Sequence, residues 1–207
     1  MHPTSGHREG TLANAVAWHY EKTNQHCAFH PVHRLDRHTS GLCMIVKQPH
    51  IQHILSQKGL SYHRYYLALC QGHFPSGEAT INWPIARKAN SIIERCVHPS
   101  GKPAKTVIKR LFANDTYSLL HVTLYTGRTH QIRVHCSTMG YPLVGDDLYG
   151  GTRELLQRQG LHAYCMQFIH PVTKKWMTIL APLPHDMATL VTRAGWELPH
   201  LPPHRNV

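Results

Sequence analysis

Leu12, Ala15, Val16, His19 and Tyr20 recur at helical spacing directly after Thr11, a residue suited to capping, which predicts an amphipathic helix over about residues 11 to 23. The period then shortens. The run Leu42-Cys43-Met44-Ile45-Val46 predicts a strand near 41 to 47, and Pro49 opens a short helix after it. Tyr62 to Gln71 is aromatic and aliphatic and stops at Gly72, which predicts a second strand, with Tyr66 on the side opposite Tyr65 and Leu67. Arg87 to Pro103 is polar, basic and rich in turn formers, and reads as a surface hairpin or loop. β-Branched and aromatic residues from Ala104 to Leu111 and from Tyr117 to Tyr125 flank Asn114-Asp115 and predict a hairpin. Counting from Arg128, Ile132, Cys136 and Met139 share an apolar helical stripe, Arg128, Gln131 and His135 share an adjacent polar one, and Gly140 offers a stop. A glycine-rich loop over Pro142 to Gly151 follows, and His162 to Ile169 with Trp176 to Leu180 reads as a closing strand pair. Strands outnumber helices without βαβ alternation, so the expected fold class is α+β with a mixed, mostly antiparallel central sheet and flanking helices.

At 207 residues the chain can bury one sizeable core without disulfides or metal. Its 22 Lys plus Arg against 11 Asp plus Glu give a formal charge of +11, which points to a phosphate-rich partner. A membrane is a poor alternative, because the longest clean aliphatic run is about five residues where a span needs ~20. No secretory signal opens the chain, so the cytoplasm is the expected location. The six cysteines lie far apart and never as Cys-x-x-Cys, which suits free thiols in a reducing compartment. The histidine-rich run His26 to His33 could suggest zinc, but Pro31 interrupts helical presentation and no second ligand pair follows, so no metal is expected.

Within this basic chain, His33-Arg34-Leu35-Asp36-Arg37-His38-Thr39-Ser40-Gly41 sets one carboxylate among cationic and imidazole side chains. Arginines beside Asp36 favour its charged form, and an ionised carboxylate in a cationic groove can attack as a nucleophile or stabilise a developing positive charge. The plainer alternative is an ion pair closing a turn. Extended backbone over 33 to 36 would put Arg34 and Asp36 side by side. The segment Gly127 to His135 presents two arginines and two histidines at a helix start, where free N–H groups also favour an anion, either nucleic acid or Asp36 itself. A merely solvated helix face would share that composition.

Five motifs then stand in order: His33-Arg34-Leu35-Asp36 with Thr39-Ser40-Gly41, Arg64-x-Tyr66-x-Ala68 followed by Gly72, Gly101-Lys102-x-Ala104-x-Thr106, Gly127-Arg128-Thr129-His130-Gln131-Ile132-Arg133-Val134-His135, and Pro142-x-x-Gly145-Asp146-x-x-Tyr149-Gly150. Together they resemble the RluA-type pseudouridine synthases, and Leu161-His162-Ala163, His170-Pro171 and Pro182-Leu183-Pro184 look like that family's closing segment. The resemblance implies a catalytic cleft beside the sheet and an isomerase that turns uridine into pseudouridine in structured RNA without any cofactor. Asp36 would be the catalytic aspartate, Arg128 its ion-pair partner, and Tyr66 the ring that stacks on uracil and takes the proton lost late in the reaction. Arg34 would brace the space left by the extruded base, a task suited to a guanidinium. Arg37, His38, Lys102, Arg133 and the loop Arg87-Lys88 are expected RNA backbone contacts, and Arg64 stands where lysine is more usual. Family analogy favours large-subunit ribosomal RNA over transfer RNA, with no obligate protein partner. Family members usually begin with strands ending in Asn-Lys-Pro-x-Gly, and many carry an N-terminal RNA-binding domain. Neither is present here, so the expectation is a single, N-terminally shortened catalytic domain over 1–207, the competing reading being an inactive RNA-binding remnant.

Overall fold

The computed structural model describes residues 8–57 and 62–198. In chain order its elements are α1 (Leu12–Lys22), β1 (His30–Pro31), β2 (Ser40–Gly41), β3 (Ile45–Val46), α2 (Pro49–Ser56), β4 (Tyr62–Gln71), β5 (Glu78–Ile81), β6 (Ile85–Arg87), β7 (Arg95–Val97), β8 (Thr106–Ala113), β9 (Tyr117–Leu124), α3 (Gln131–Thr138), β10 (Leu161–Ile169), β11 (Trp176–Leu180) and α4 (His185–Arg193). The β-rich stretch at β4 pairs antiparallel with β9 in unbroken register from Arg64–Leu124 to Gln71–Tyr117. Asn114 makes the β8–β9 turn, its side-chain oxygen accepting from the N–H groups of Thr116 and Tyr117.

Among the described residues the main sheet runs β11-β10-β4-β9-β8-β5, antiparallel throughout, while β2 joins β10 in parallel and makes the sheet mixed. Alternation along the strands builds two cores. Tyr66, Ala68, Cys70, Ile108, Leu120 and Val122 face Ile132 and Cys136 of α3, whereas Tyr65, Leu67, Leu69 and Leu119 face Met187, Leu190 and Val191 of α4. The cysteines are free. No helix among the described residues is long and apolar enough to cross a membrane.

Three elements differ from the sequence reading. The strand expected over 41 to 47 is broken into β2 and β3, which pair with different partners, β10 and β1. Gly41 forces the break, with φ +106 and its backbone so close to Ala163 that any Cβ would overlap that carbonyl. α3 starts at Gln131, three residues after Arg128, because His130 adopts a left-handed φ of 58° and cannot continue a helix. The polar stripe does not form a solvated face, since Gln131 and His135 are buried. α4 lies where only a closing segment was expected; Met187, Leu190 and Val191 at helical spacing carried its signal behind Pro184.

Candidate active site

Asp36 sits on an irregular strap between β1 and β3, fastened by a few specific bonds. The Val32 N–H donates to the Met44 carbonyl at 3.0 Å, and the Met44 N–H donates to His33 Nε2 at 3.1 Å. At the other end, the Leu42 N–H donates to the Ala163 carbonyl at 2.9 Å, and the Ser40 hydroxyl bonds His162 Nδ1 at 2.9 Å. Arg158, paired through two bonds with Asp186, also donates to the His38 carbonyl at 3.2 Å. The Thr39 N–H donates to the Asp36 carbonyl at 3.0 Å, a turn that holds the carboxylate out from the strap. Burial, with Arg64 nearby, pushes the His33 pKa down to about 4, so the ring that receives the Met44 N–H is neutral.

The facing wall is the start of α3. Gln131 fixes it through four bonds: its amide oxygen accepts from the Thr126 hydroxyl and the Arg128 N–H, and its amide nitrogen donates to the Lys105 carbonyl and the Thr106 hydroxyl. The left-handed turn at His130 aims that residue's backbone N–H at Asp36. From the third residue of α3, Arg133 donates two bonds of 2.7 Å to Asp146 and brings Nη1 to 3.8 Å from Asp36 Oδ2. Asp146 is 1% exposed and Arg133 8%, so this is a buried pair whose loss would strand a charge. The Tyr149 ring lies 4.8 Å from the Arg133 guanidinium, while its hydroxyl accepts from the Arg95 N–H at 2.9 Å and bonds His130 Nδ1 at 2.7 Å.

Burial raises the Asp36 pKa; Arg133, Arg34 and the His130 N–H oppose this without cancelling it, and Asp146 adds to it. The arginines do favour the charged carboxylate, as the sequence implied, but desolvation outweighs them. Burial likewise pushes the Tyr66 phenol up to about 12 and, with Arg133 nearby, the His130 imidazole down to about 4. The site therefore sets the Asp36 carboxyl among a neutral phenol, neutral imidazoles, fixed cations and a second carboxylate, Asp146, that is tied to Arg133.

Asp36, Tyr66, Arg34 and Arg128 all line one cleft of about 280 Å³, together with His33 and Arg64. The expected ion pair between Arg128 and Asp36 is absent. Arg128 instead donates from Nε to the Pro103 carbonyl at 2.9 Å, and Arg133 is the cation nearest the carboxylate. The reason is the turn at His130, which separates Arg128 from the helix that aims Arg133 inward. Arg133 was expected to touch RNA, and its burial against Asp146 rules out that surface role. Arg34 and Arg37 are exposed, Arg37 lining a neighbouring groove that shares Arg34, Leu35, Asp36 and Thr39 with the cleft. His38 and Lys102 are exposed as well, and the Lys102 backbone pairs with Ile85. Arg87 and Lys88 stand exposed on the β6–β7 hairpin, where Lys88 is paired with Glu94 at 2.7 Å. Arg64 packs beside Gly127, where a Cβ would approach its guanidinium to 3.1 Å, and lies 5.2 Å from the Tyr62 ring. Asp146 and Tyr149 were not singled out from sequence as site residues, although the glycine-flanked motif containing both was the available signal.

Residues 2–138 match a family model described as RNA pseudouridylate synthase. An uncharacterized RNA pseudouridine synthase of Bacillus subtilis, YjbO, is 44% identical over 191 residues, spanning 91% of this chain and 68% of that protein. A protein of Haemophilus influenzae named ribosomal large subunit pseudouridine synthase D is 36% identical over 209 residues, spanning 92% of this chain and 64% of the relative. The chain thus spans about two thirds of the length of the curated relatives it matches. Among solved structures, human RNA pseudouridylate synthase domain containing 1 superposes with a TM-score of 0.66 at 26% identity, covering 88% of this chain and 84% of the human one.

Proposed function

The chain belongs to the RNA pseudouridylate synthase family, and from that membership we propose that it isomerises uridine to pseudouridine in structured RNA, with Asp36 as the reacting carboxylate. The observation that carries this reading is the position of Asp36, set in a cleft between the buried cation of Arg133 and the exposed cation of Arg34, with the Tyr66 ring lining the same hollow. In the reaction, the bond from ribose C1′ to uracil N1 breaks, the base turns, and a bond from C1′ to C5 forms. A proton leaves C5 and N1 gains one, so no water, oxidant or cofactor is consumed. As the glycosidic bond lengthens, positive charge grows at C1′, where the Asp36 oxygen can stabilise it or form a transient bond. Arg133 orients that oxygen without being available to solvent. Tyr66 enters as a neutral phenol, which suits stacking on uracil, and its hydroxyl takes up the C5 proton only if it passes one on at the same time.

A paired uridine reaches a recessed carboxylate only when extruded, and exposed Arg34 at the mouth is suited to occupy the space it leaves. Arg128 is assigned to the rim as a phosphate contact, with Arg37, His38, Lys102, Arg87 and Lys88 as outer contacts. The target class we propose is large-subunit ribosomal RNA, supported by the names of relatives such as the Haemophilus influenzae protein, with the cytoplasm as site of action. The test is to incubate the chain with ribosomal and transfer RNA transcripts and map pseudouridine at single-nucleotide resolution. Product on ribosomal RNA that vanishes in Asp36→Asn supports the assignment, and equal product from the variant removes Asp36 from it.

A further inference from the structure

The strands that line the cleft turn their alternate residues to the reverse of the sheet. From β4, Arg64 and Tyr66 face the cleft while His63 and Tyr65 face away; from β9, Leu124 faces the cleft while Thr123 and Tyr125 face away. α4 packs over Leu67, Leu69 and Leu119 on that reverse face. Beyond it, a groove of about 400 Å³ stays open behind the cleft. Beneath it the Tyr65 and His121 rings, both buried, stack 5.6 Å apart at 27° and give the groove a rigid base. Lys105, just before β8, and Lys109 within it stand exposed on the same face, and Lys105 Nζ lies 4.6 Å from the ring of Tyr125, itself 52% exposed at the rim. At the β4 end, the ring of Trp176, 45% exposed, lies 6.2 Å from that of His63. Glu78 is the one acidic residue lining the groove.

We infer that this reverse-face groove binds a single-stranded stretch of RNA continuous with the segment held in the cleft. Exposed rings at the rim, Tyr125 and Trp176, together with Lys105 and Lys109 meet both demands of a single strand, stacking for the bases and cations for the phosphates. The charge is complementary, with two lysines against one glutamate in a chain of formal charge +11. The path between the two sites is short. Gly127 and Arg128 line the cleft and Tyr125 lines the groove, so only the turn joining β9 to α3 separates them. Gln131 braces that turn through Thr126, Arg128 and Lys105, giving the strand a rigid edge to cross. The inference rests on RNA being the substrate, and its test reads binding instead of isomerisation.

The full chain is titrated at several salt concentrations with one RNA hairpin in three forms: bare, or carrying a single-stranded tail of about ten nucleotides on either the 5′ or the 3′ side. The unaltered chain should bind one tailed form more tightly than the bare hairpin. K105E/K109E should weaken that tailed form about tenfold, lower its salt slope by about one to two, and leave the bare hairpin within about twofold. Glu78→Gln should tighten the tailed form, a gain that misfolding cannot produce. A charge-matched control, K22E/R193E, alters exposed residues of α1 and α4 and should preserve the preference for the tail. Equal loss on tailed and bare RNA, no loss on either, or no tail preference in the unaltered chain would overturn the inference, including the case where the groove serves a protein partner instead. Binding as expected, together with no pseudouridine on the ribosomal and transfer RNA transcripts, would refute the proposed activity and leave the groove assignment standing. Failure to bind any RNA would refute both.

Discussion

Asp36 and Arg133 approach to 3.8 Å from walls built in different ways. On the α3 side, residues 131 to 136 are buried, Gln131 holds four hydrogen bonds, and Arg133 is locked to Asp146 by two more. On the strap side, the flanking strands are two residues long, and Arg34, Arg37 and His38 face solvent. The cation proposed to orient Asp36 belongs to the over-determined wall, and Asp36 itself to the less determined one. On the proposed mechanism, preorganisation is therefore supplied from one side, while the side assigned to RNA keeps its charged surface accessible.

The largest separation between the walls should come from Asp36→Asn, with activity falling by on the order of 10³-fold or more in a single-turnover assay. Stability should move the other way. Burial raises the folded-state pKa of Asp36, so its ionised form costs stability above that pKa, and the cost disappears as pH falls through it. The amide carries no such cost at neutral pH, so thermal melting should occur at a higher temperature than for the unaltered chain. A lower melting temperature would show that the carboxylate contributes net stability.

Arg133→Ala should lose both activity and stability, because it leaves the Asp146 carboxyl buried without its partner, at about 3–5 kcal/mol in denaturant unfolding. Replacing both partners with apolar residues, R133M/D146L, should recover much of that stability and none of the activity. Recovery of activity would remove Arg133 from its positioning role. Next in size is Gly41→Ala, which strains the strap at φ +106 and pushes a methyl against Ala163, for about 1–3 kcal/mol. Hydrogen exchange should rise around 33 to 44 and stay unchanged in α3; a uniform rise would mean that the walls unfold as one unit.

Acid should weaken both walls. His33 and His130 are held neutral when folded, at about 4 each, whereas unfolded histidine titrates near 6.5. Protons then favour the unfolded chain, so stability is fully present above about 6.5 and is lost as pH falls from there toward 4. His130→Gln should flatten part of that decline in melts taken across the interval. Arg128→Ala should do least, within about 0.5 kcal/mol for folding, with KM for RNA raised and kcat nearly unchanged. A collapse of kcat would return Arg128 to the chemistry.

Much of this architecture was legible from residue order. The extent of β4, the β8–β9 hairpin, the opposite facing of Tyr65 and Tyr66, and the capped α1 follow from local periodicity and turn chemistry. The convergence of Asp36, Tyr66, Arg34 and Arg128 on one hollow was implied by the resemblance, since residues 34 and 128 are otherwise far apart in sequence. What could not be read was which arginine lies beside Asp36. Arg128 and Arg133 lie on the same short motif, and only the left-handed residue between them decides which one turns inward. A histidine at φ 58 carries no periodic signal. The fragmentation of the 41 to 47 run was hidden for a related reason, because Gly41 answers to Ala163, a neighbour far along the chain.

The Tyr149 oxygen receives the Arg95 amide from the β6–β7 hairpin and touches His130, whose own amide reaches Asp36. One phenolic atom thus acts as a rivet between an outlying arm and the crevice that holds Asp36. On the proposed mechanism, a load placed on that arm by a bulky, folded nucleic acid has a short mechanical route to the Asp36 oxygen, and Tyr149→Phe would cut the route while leaving the arm and the crevice each intact.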